Sequence, residues 1–169
     1  VQTFVSKTVE GIELCYTVVS EDEKTCKVDE CNKETISGTV TIPAMVNGYT
    51  VVLIEKETFK GCPITKVNIP GTVKTIAESA FRNCNDLTEI VIPEGVETIG
   101  KYAFDNCKNA VSLSLPSTLK SIAYSAFDGG NKRTKVIISD LASWCAVELD
   151  NYSSVFNYHE PSYETTHLY

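Results

Sequence analysis

The stretch Ile64–Cys84 reads ITKVNIPGTVKTIAESAFRNC, and two further versions of it follow directly: LTEIVIPEGVETIGKYAFDNC over Leu87–Cys107 and AVSLSLPSTLKSIAYSAFDGG over Ala110–Gly130. Ile69-Pro70, Ile92-Pro93 and Leu115-Pro116 recur about every 23 residues. A repeat of that length is one supersecondary unit that cannot bury its apolar edge alone, so neighbours must stack into a continuous core. The sequence is therefore read as a solenoid of stacked coils, an architecture that serves recognition more often than chemistry.

Within one repeat, LTEIVIP alternates so that Leu87, Ile90 and Ile92 face inward while Thr88, Glu89 and Val91 face out, the mark of a short strand with one buried side. Pro93 lacks a backbone donor and ends it. Val96 and Ile99 return the chain along a second layer, and Ala103-Phe104 is expected to bury a small and a large group from a short helical turn. Gly61, Asn83, Asn106 and Gly129 share the next position, where a left-handed backbone closes the coil. Cys62, Cys84 and Cys107 share another and should form a ladder of small buried groups. Aligned strands form a parallel sheet, whose outward side chains are Thr65, Lys66, Asn68, Thr88, Glu89, Val91, Val111, Ser112, Ser114, Thr134, Lys135 and Ile137.

The pattern extends in both directions. An earlier copy, VTIPAMVNGYTVVLIEKETFKGC, carries extra residues around Asn47-Gly48, a two-residue hairpin signal that predicts a small protruding β-arm. A later start, Val136-Ile137-Ile138, has Ser139 in place of proline and then leaves the pattern.

The net charge of -7 is unevenly placed: residues 10 to 34 carry -5, residues 139 to 169 carry -5, the repeats between them +2, and Lys7 the remaining +1. A near-neutral centre with acidic ends argues against nucleic acid, which requires a concentrated basic face, and against an anionic membrane surface. No apolar run is long enough to cross a bilayer as a helix. Of the seven cysteines, Cys26 and Cys31 in the acidic N-terminal segment are the disulfide candidates; no second pair of cysteines or histidines follows to complete a metal site.

Chemistry-bearing constellations are sparse. His159 and His167 sit in no ligand or nucleophile motif, and carboxylate pairs such as Glu55 with Glu57 read as solvated surface. Phosphate loops, nucleophile elbows and zinc-protease helices do not occur, so no catalytic residue, metal or cofactor is expected. Trp144 with Tyr152, Tyr158, Tyr163 and Tyr169 permits a sugar-binding reading, set against Trp144 as the anchor that closes the last coil. Asn151-Tyr152-Ser153 is a glycosylation sequon by pattern.

The repeated pattern L-x-x-I-x-I-P-x-x-V-x-x-I-x-x-x-A-F-x-x-C resembles the BspA-like class of leucine-rich repeats, over roughly residues 36 to 138. The tract Ser139–Cys145 resembles the divergent segment that follows such repeats, and GIELCYTVVSEDEKTCKV (residues 11–28) the strand pair that precedes them. Thr58 for alanine, Gly130 for cysteine and Ala110 for leucine depart from the pattern and should loosen packing locally. The resemblance implies a right-handed leucine-rich-repeat coil with a parallel sheet on one face and short helical turns on the other. A β-hairpin cap would span residues 1–35, repeats 36–138, and a divergent repeat or cap 139–169. It also implies a cell-surface or secreted bacterial protein that binds a protein partner, in some members a host protein. A structural spacer, or a carbohydrate module using the aromatic tail, are the alternatives. The chain ends at His167-Leu168-Tyr169, about where another strand would begin, and is read as a piece of a longer solenoid.

Overall fold

A computed structural model describes residues 1–130 and 132–150. At the N-terminus, β1 (Thr3–Lys7), β2 (Glu13–Ser20) and β3 (Thr25–Asp29) run antiparallel to one another. The coils follow as β4 (Gly38–Thr41), β5 (Met45–Val46), β6 (Tyr49–Ile54), β7 (Ile64–Asn68), β8 (Thr75–Ile76), β9 (Glu89–Val91) and β10 (Thr98–Ile99). They continue with β11 (Ser112–Leu115), β12 (Ser121–Ile122), β13 (Lys135–Ile138), helix α1 (Leu141–Trp144) and β14 (Glu148–Leu149).

Each repeat contributes one strand to either side of a corner formed at its proline. Before the corner, β4 pairs with β7 and, farther along, β9, β11 and β13 form a parallel sheet. After it, β6, β8, β10, β12 and β14 run parallel, and β3 joins their edge so that the N-terminal strands cap the stack. The register is one residue type per rung: Ile54, Ile76, Ile99 and Ile122 lie side by side, with Leu149 beyond them. Val67, Ile90 and Leu113 line the core from the first sheet. Phe59, Phe81, Phe104 and Phe127 stack through its centre with successive ring centroids 5.0, 5.0 and 5.5 Å apart. Cys62, Cys84 and Cys107 are buried as the ladder reading requires, and the Cys84 thiol donates to the Phe59 carbonyl at 3.1 Å.

The third side of each coil is not helical. Successive turns alternate with bonds to the next coil: the N–H groups of Glu57, Phe59 and Gly61 donate to the carbonyls of Glu78, Ala80 and Arg82 at 3.1, 2.8 and 2.8 Å. Ser79, Phe81 and Asn83 repeat this toward Lys101, Ala103 and Asp105. A helix would turn these groups back onto its own chain; a left-handed residue at either end of the turn holds them toward the neighbour. One is the expected Gly61, Asn83, Asn106, Gly129 series, and the other is Glu57, Ser79, Tyr102 and Ser125. The coils are thus hydrogen-bonded on all three sides.

Further expectations change at the ends. The cap is a three-stranded meander, because β1 adds to the hairpin of β2 and β3. Asn47 and Gly48, at φ 49° and 82°, form the hairpin turn, but the arm folds inward and buries Val46 and Tyr49. The disulfide joins Cys15 to Cys31, with Cα atoms 5.3 Å apart, and not Cys26 to Cys31. Strand parity decides this: Cys26 and Val28 point into the core with Leu14 and Tyr16, whereas Cys15 lies on the opposite face of β2, opposite Asp29 and close to Cys31. Cys26 remains a buried free thiol.

At two of the three departures the space is filled. Thr58 is fully buried, and its hydroxyl donates to the Glu55 carbonyl at 2.8 Å. Where Gly130 replaces cysteine, the Arg133 guanidinium takes the space: a Cβ on Gly130 would lie 2.5 Å from Nη2. Arg133 stands over the Phe127 ring at 5.6 Å and donates to the Phe127 carbonyl at 3.1 Å. Past β13, Asp140 caps α1 by accepting from the Ser143 N–H at 2.8 Å, and half-buried Trp144 packs against the core.

Candidate interaction surface

The parallel sheet of the first strands displays its outward side chains in rows, one residue per coil and roughly 4.8 Å apart. Thr65, Thr88, Val111 and Thr134 form one row. Lys66, Glu89, Ser112 and Lys135 form the next, and Asn68, Val91, Ser114 and Ile137 the third. Thr65, Lys66, Asn68, Thr88, Val91, Val111, Thr134 and Lys135 are exposed, and Glu89, Ser112, Ser114 and Ile137 are half-buried. The fold therefore brings every residue singled out for this face to one surface.

Two interactions organise it. Lys66 Nζ lies 3.3 Å from a Glu89 carboxylate oxygen, an exposed pair that fixes side-chain direction more than stability. From the same strand, Asn68 donates to the hydroxyl of Thr41 on the coil before at 2.9 Å, and the Thr41 N–H donates to Glu10 at 3.1 Å. Burial works against the Glu10 charge, but hydrogen bonds from Thr41 and Thr8 hold its carboxyl below the ordinary value. Thr39, Thr41 and Glu10 extend the face toward the cap. The first two were readable, since Val40-Thr41-Ile42-Pro43 repeats the strand phrase of the later coils; Glu10 carried no such signal.

The chemistry of this face is that of hydroxyls, one amide, a few charges and the three aliphatic side chains of Val91, Val111 and Ile137. It can exchange hydrogen bonds with a partner backbone or side chains. The cysteines behave differently: burial pushes the thiols of Cys26 and Cys107 up to about 11 and about 12, and that of Cys84 up as well, so they act as small hydrophobes. Among the described residues no three His, Cys, Asp or Glu side chains gather as a metal site would need. His159, His167, the sequon at Asn151 and the tyrosines at 152, 158, 163 and 169 lie outside the described residues.

The model of the BspA-type leucine-rich repeat region matches residues 52–146, in six copies. The chain belongs to that family. Solved structures show the same fold. A leucine-rich cell-surface protein of Faecalibacterium prausnitzii is 21% identical with a TM-score of 0.62, over 80% of this chain and 40% of that one. A leucine-rich repeat protein of Bacteroides ovatus is 32% identical with a TM-score of 0.59, over 83% of this chain and 40% of that one. The pneumococcal vaccine antigen PcpA is 20% identical with a TM-score of 0.62, over 81% and 38%. The chain thus spans about 40% of the length of the first two. No curated protein matches it. None of the helices is long and apolar enough to cross a membrane among the described residues.

Proposed function

We propose that this BspA-type chain is a non-enzymatic protein-binding module of a cell-surface or secreted bacterial protein, which engages a host extracellular protein through its sheet face. The observation that carries the reading is the regular outward display from Thr65 to Lys135 on a rigid hydrogen-bonded stack. The Cys15–Cys31 disulfide supports the location, because such bonds persist in oxidising compartments. The Faecalibacterium neighbour, described as a cell-surface protein, points the same way. Small polar side chains give little affinity per site, so binding gains strength from many copies on one surface.

The test is binding of the chain, displayed at high density, to a panel of host matrix proteins, plasma proteins and glycans, beside a Lys66→Glu/Glu89→Lys variant. A protein hit that the variant loses supports the adhesive face. The absence of aromatic and arginine side chains from this face favours a second reading, a spacer that holds other domains apart; silence across the panel would select it.

A further inference from the structure

β1 is the terminal strand of the sheet that continues through β2 and β3 to β14, and among the described residues no strand pairs with its far edge. Two backbone bonds fix the parity of that edge: the Val18 N–H donates to the Gln2 carbonyl at 2.9 Å, and the Thr8 N–H to the Ile12 carbonyl at 2.8 Å. Both continue the unbroken register that sets Thr3 opposite Thr17 and Lys7 opposite Glu13. Even-numbered residues of β1 therefore bond to β2, and Thr3, Val5 and Lys7 turn their N–H and C=O groups away from it. Among the described residues no turn or loop answers these groups. Their side chains are exposed as well, Val5 at 55%.

The chain guards the comparable edge on its other side. β4 is terminal there, and the Thr41 N–H, turned away from β7, is taken by the Glu10 carboxylate at 3.1 Å. Proteins ordinarily blunt such edges with a proline, a bulge, a charge or a covering loop, because a row of unpaired backbone groups recruits another strand. β1 contains no proline, its pairing with β2 has no bulge, and its one charge, Lys7, is drawn sideways to Glu13 at 3.7 Å. One edge is closed and the other is left open.

What fits the open edge follows from its own sequence. Val1, Thr3, Val5, Lys7 and Val9 are nearly symmetric about Val5. An antiparallel copy centred there sets Val5 against Val5, Thr3 against Lys7 and, flanking the strand, Val1 against Val9; all three valines are exposed in the single chain. The outward N–H groups of each strand then meet the outward carbonyls of the other, about six bonds in all. Charge does not oppose the match: the row Lys27, Thr17, Thr3 of one copy continues into Lys7 and Glu13 of the second, with no like charges adjacent. On the inner face Phe4, half-buried with its ring 5.5 Å from Tyr16 and 5.9 Å from Tyr49, comes opposite Ser6 of the second copy. We propose that β1 is a self-association edge, through which two copies of this chain join antiparallel about a two-fold axis at Val5 into one continuous sheet. β9, β11 and β13 take no part, so the pair carries two free sheet faces.

Sedimentation velocity of the chain between about 10 μM and about 1 mM is expected to show monomer giving way to dimer. Val5→Pro removes only an N–H that β2 does not use, so the β1–β2 ladder survives, and dimerisation should weaken about tenfold. Val5→Lys and Val5→Glu should each weaken it by setting like charges together on the axis, and an equimolar mixture of the two should dimerise again, a recovery that no folding defect imitates. Lys66→Glu on the sheet face should change nothing. Amide exchange followed by nitrogen-15 NMR locates the contact: Thr3, Val5 and Lys7 should exchange quickly in the dilute chain and slowly in the concentrated one, with Phe4 and Ser6 protected in both. The proposal fails if the chain is monomeric at about 1 mM, if Val5→Pro and Val5→Lys dimerise like the native sequence, if the mixture shows no recovery, or if protection appears away from β1. An edge that stays open in the concentrated chain yet gains protection from a Val- and Thr-rich synthetic peptide would make the occupant a foreign strand and likewise overturn it.

Discussion

Phe104→Ala tests whether the solenoid is held together neighbour by neighbour. Phe104 is fully buried between Phe81, at 5.0 Å, and Phe127, at 5.5 Å, with planes within 6° of parallel. Truncating a buried phenylalanine costs about 3–5 kcal/mol, and losing a stacked ring on both sides brings the total to about 4–6 kcal/mol. Phe59 has one stacked ring neighbour in the ladder and should lose about 3.5–5.5 kcal/mol on the same change. Domains of this size are stable by about 5–15 kcal/mol, so the central substitution removes much of the margin. Location then matters as much as magnitude, because each coil is stabilised by those beside it. Trp144, the one tryptophan, packs on the core at the far end of the stack and reports on the C-terminal coils alone. Guanidinium unfolding followed by tryptophan fluorescence and far-ultraviolet circular dichroism should give coincident curves for the native sequence. In Phe104→Ala the fluorescence transition should move to lower denaturant ahead of the dichroism. Coincident curves in the variant, or a loss below about 2 kcal/mol, would refute the nearest-neighbour account.

Gly95, at φ 108°, faces the backbone of the previous coil so closely that a Cβ would lie 1.9 Å from the Gly71 carbonyl oxygen; Gly95→Ala should cost about 2–4 kcal/mol by denaturant unfolding, against about 1 kcal/mol for Gly61→Ala, where the space is open. Cys15→Ser opens a 16-residue loop and should lower stability by about 3 kcal/mol, an effect that reductant reproduces on the native sequence and not on the variant. Maleimide should label Cys145 alone in the folded chain and all five free thiols once it is unfolded without reductant; rapid native labelling of Cys84 or Cys107 would contradict their burial. The Lys27 hydrogen bond holds the Glu55 carboxyl below its ordinary value, and hydrogen bonds together with Lys27 hold Asp29 low against its burial. Carboxylates depressed in the folded state stabilise it above their unfolded values and lose that contribution as pH falls through the folded ones. The melting temperature should therefore drop below about pH 4, and less steeply in Lys27→Met; equal slopes would dismiss the pair.

What the sequence reveals depends on whether a feature repeats. Ile76, Ile99 and Ile122 or Phe81, Phe104 and Phe127 declare the core because the same physical demand is written several times. The left-handed series of Gly61, Asn83, Asn106 and Gly129 is legible for the same reason, since those residue types tolerate it. Its counterpart at Glu57, Ser79, Tyr102 and Ser125 is hidden, because inter-coil bonds impose the conformation on residues that do not prefer it. Features that occur once are harder still. The partner of Cys31 depends on the parity of two strands, and the space beside Gly130 is filled by Arg133, a core position where a charged residue reads as surface. The outward face is fully legible in position.

The hydrogen bonds between coils run along the solenoid while the strands lie across it. Pulled from its two ends, such a stack loads the bonds of one coil at a time, and each coil that gives way frees about 23 residues, roughly 80 Å of chain, where a coil had occupied about 5 Å. Extension is therefore stepwise and dissipates work at every step. The 16-residue span between Cys15 and Cys31 cannot be drawn out, so the molecule behaves as a yielding tether with a fixed grip at one end.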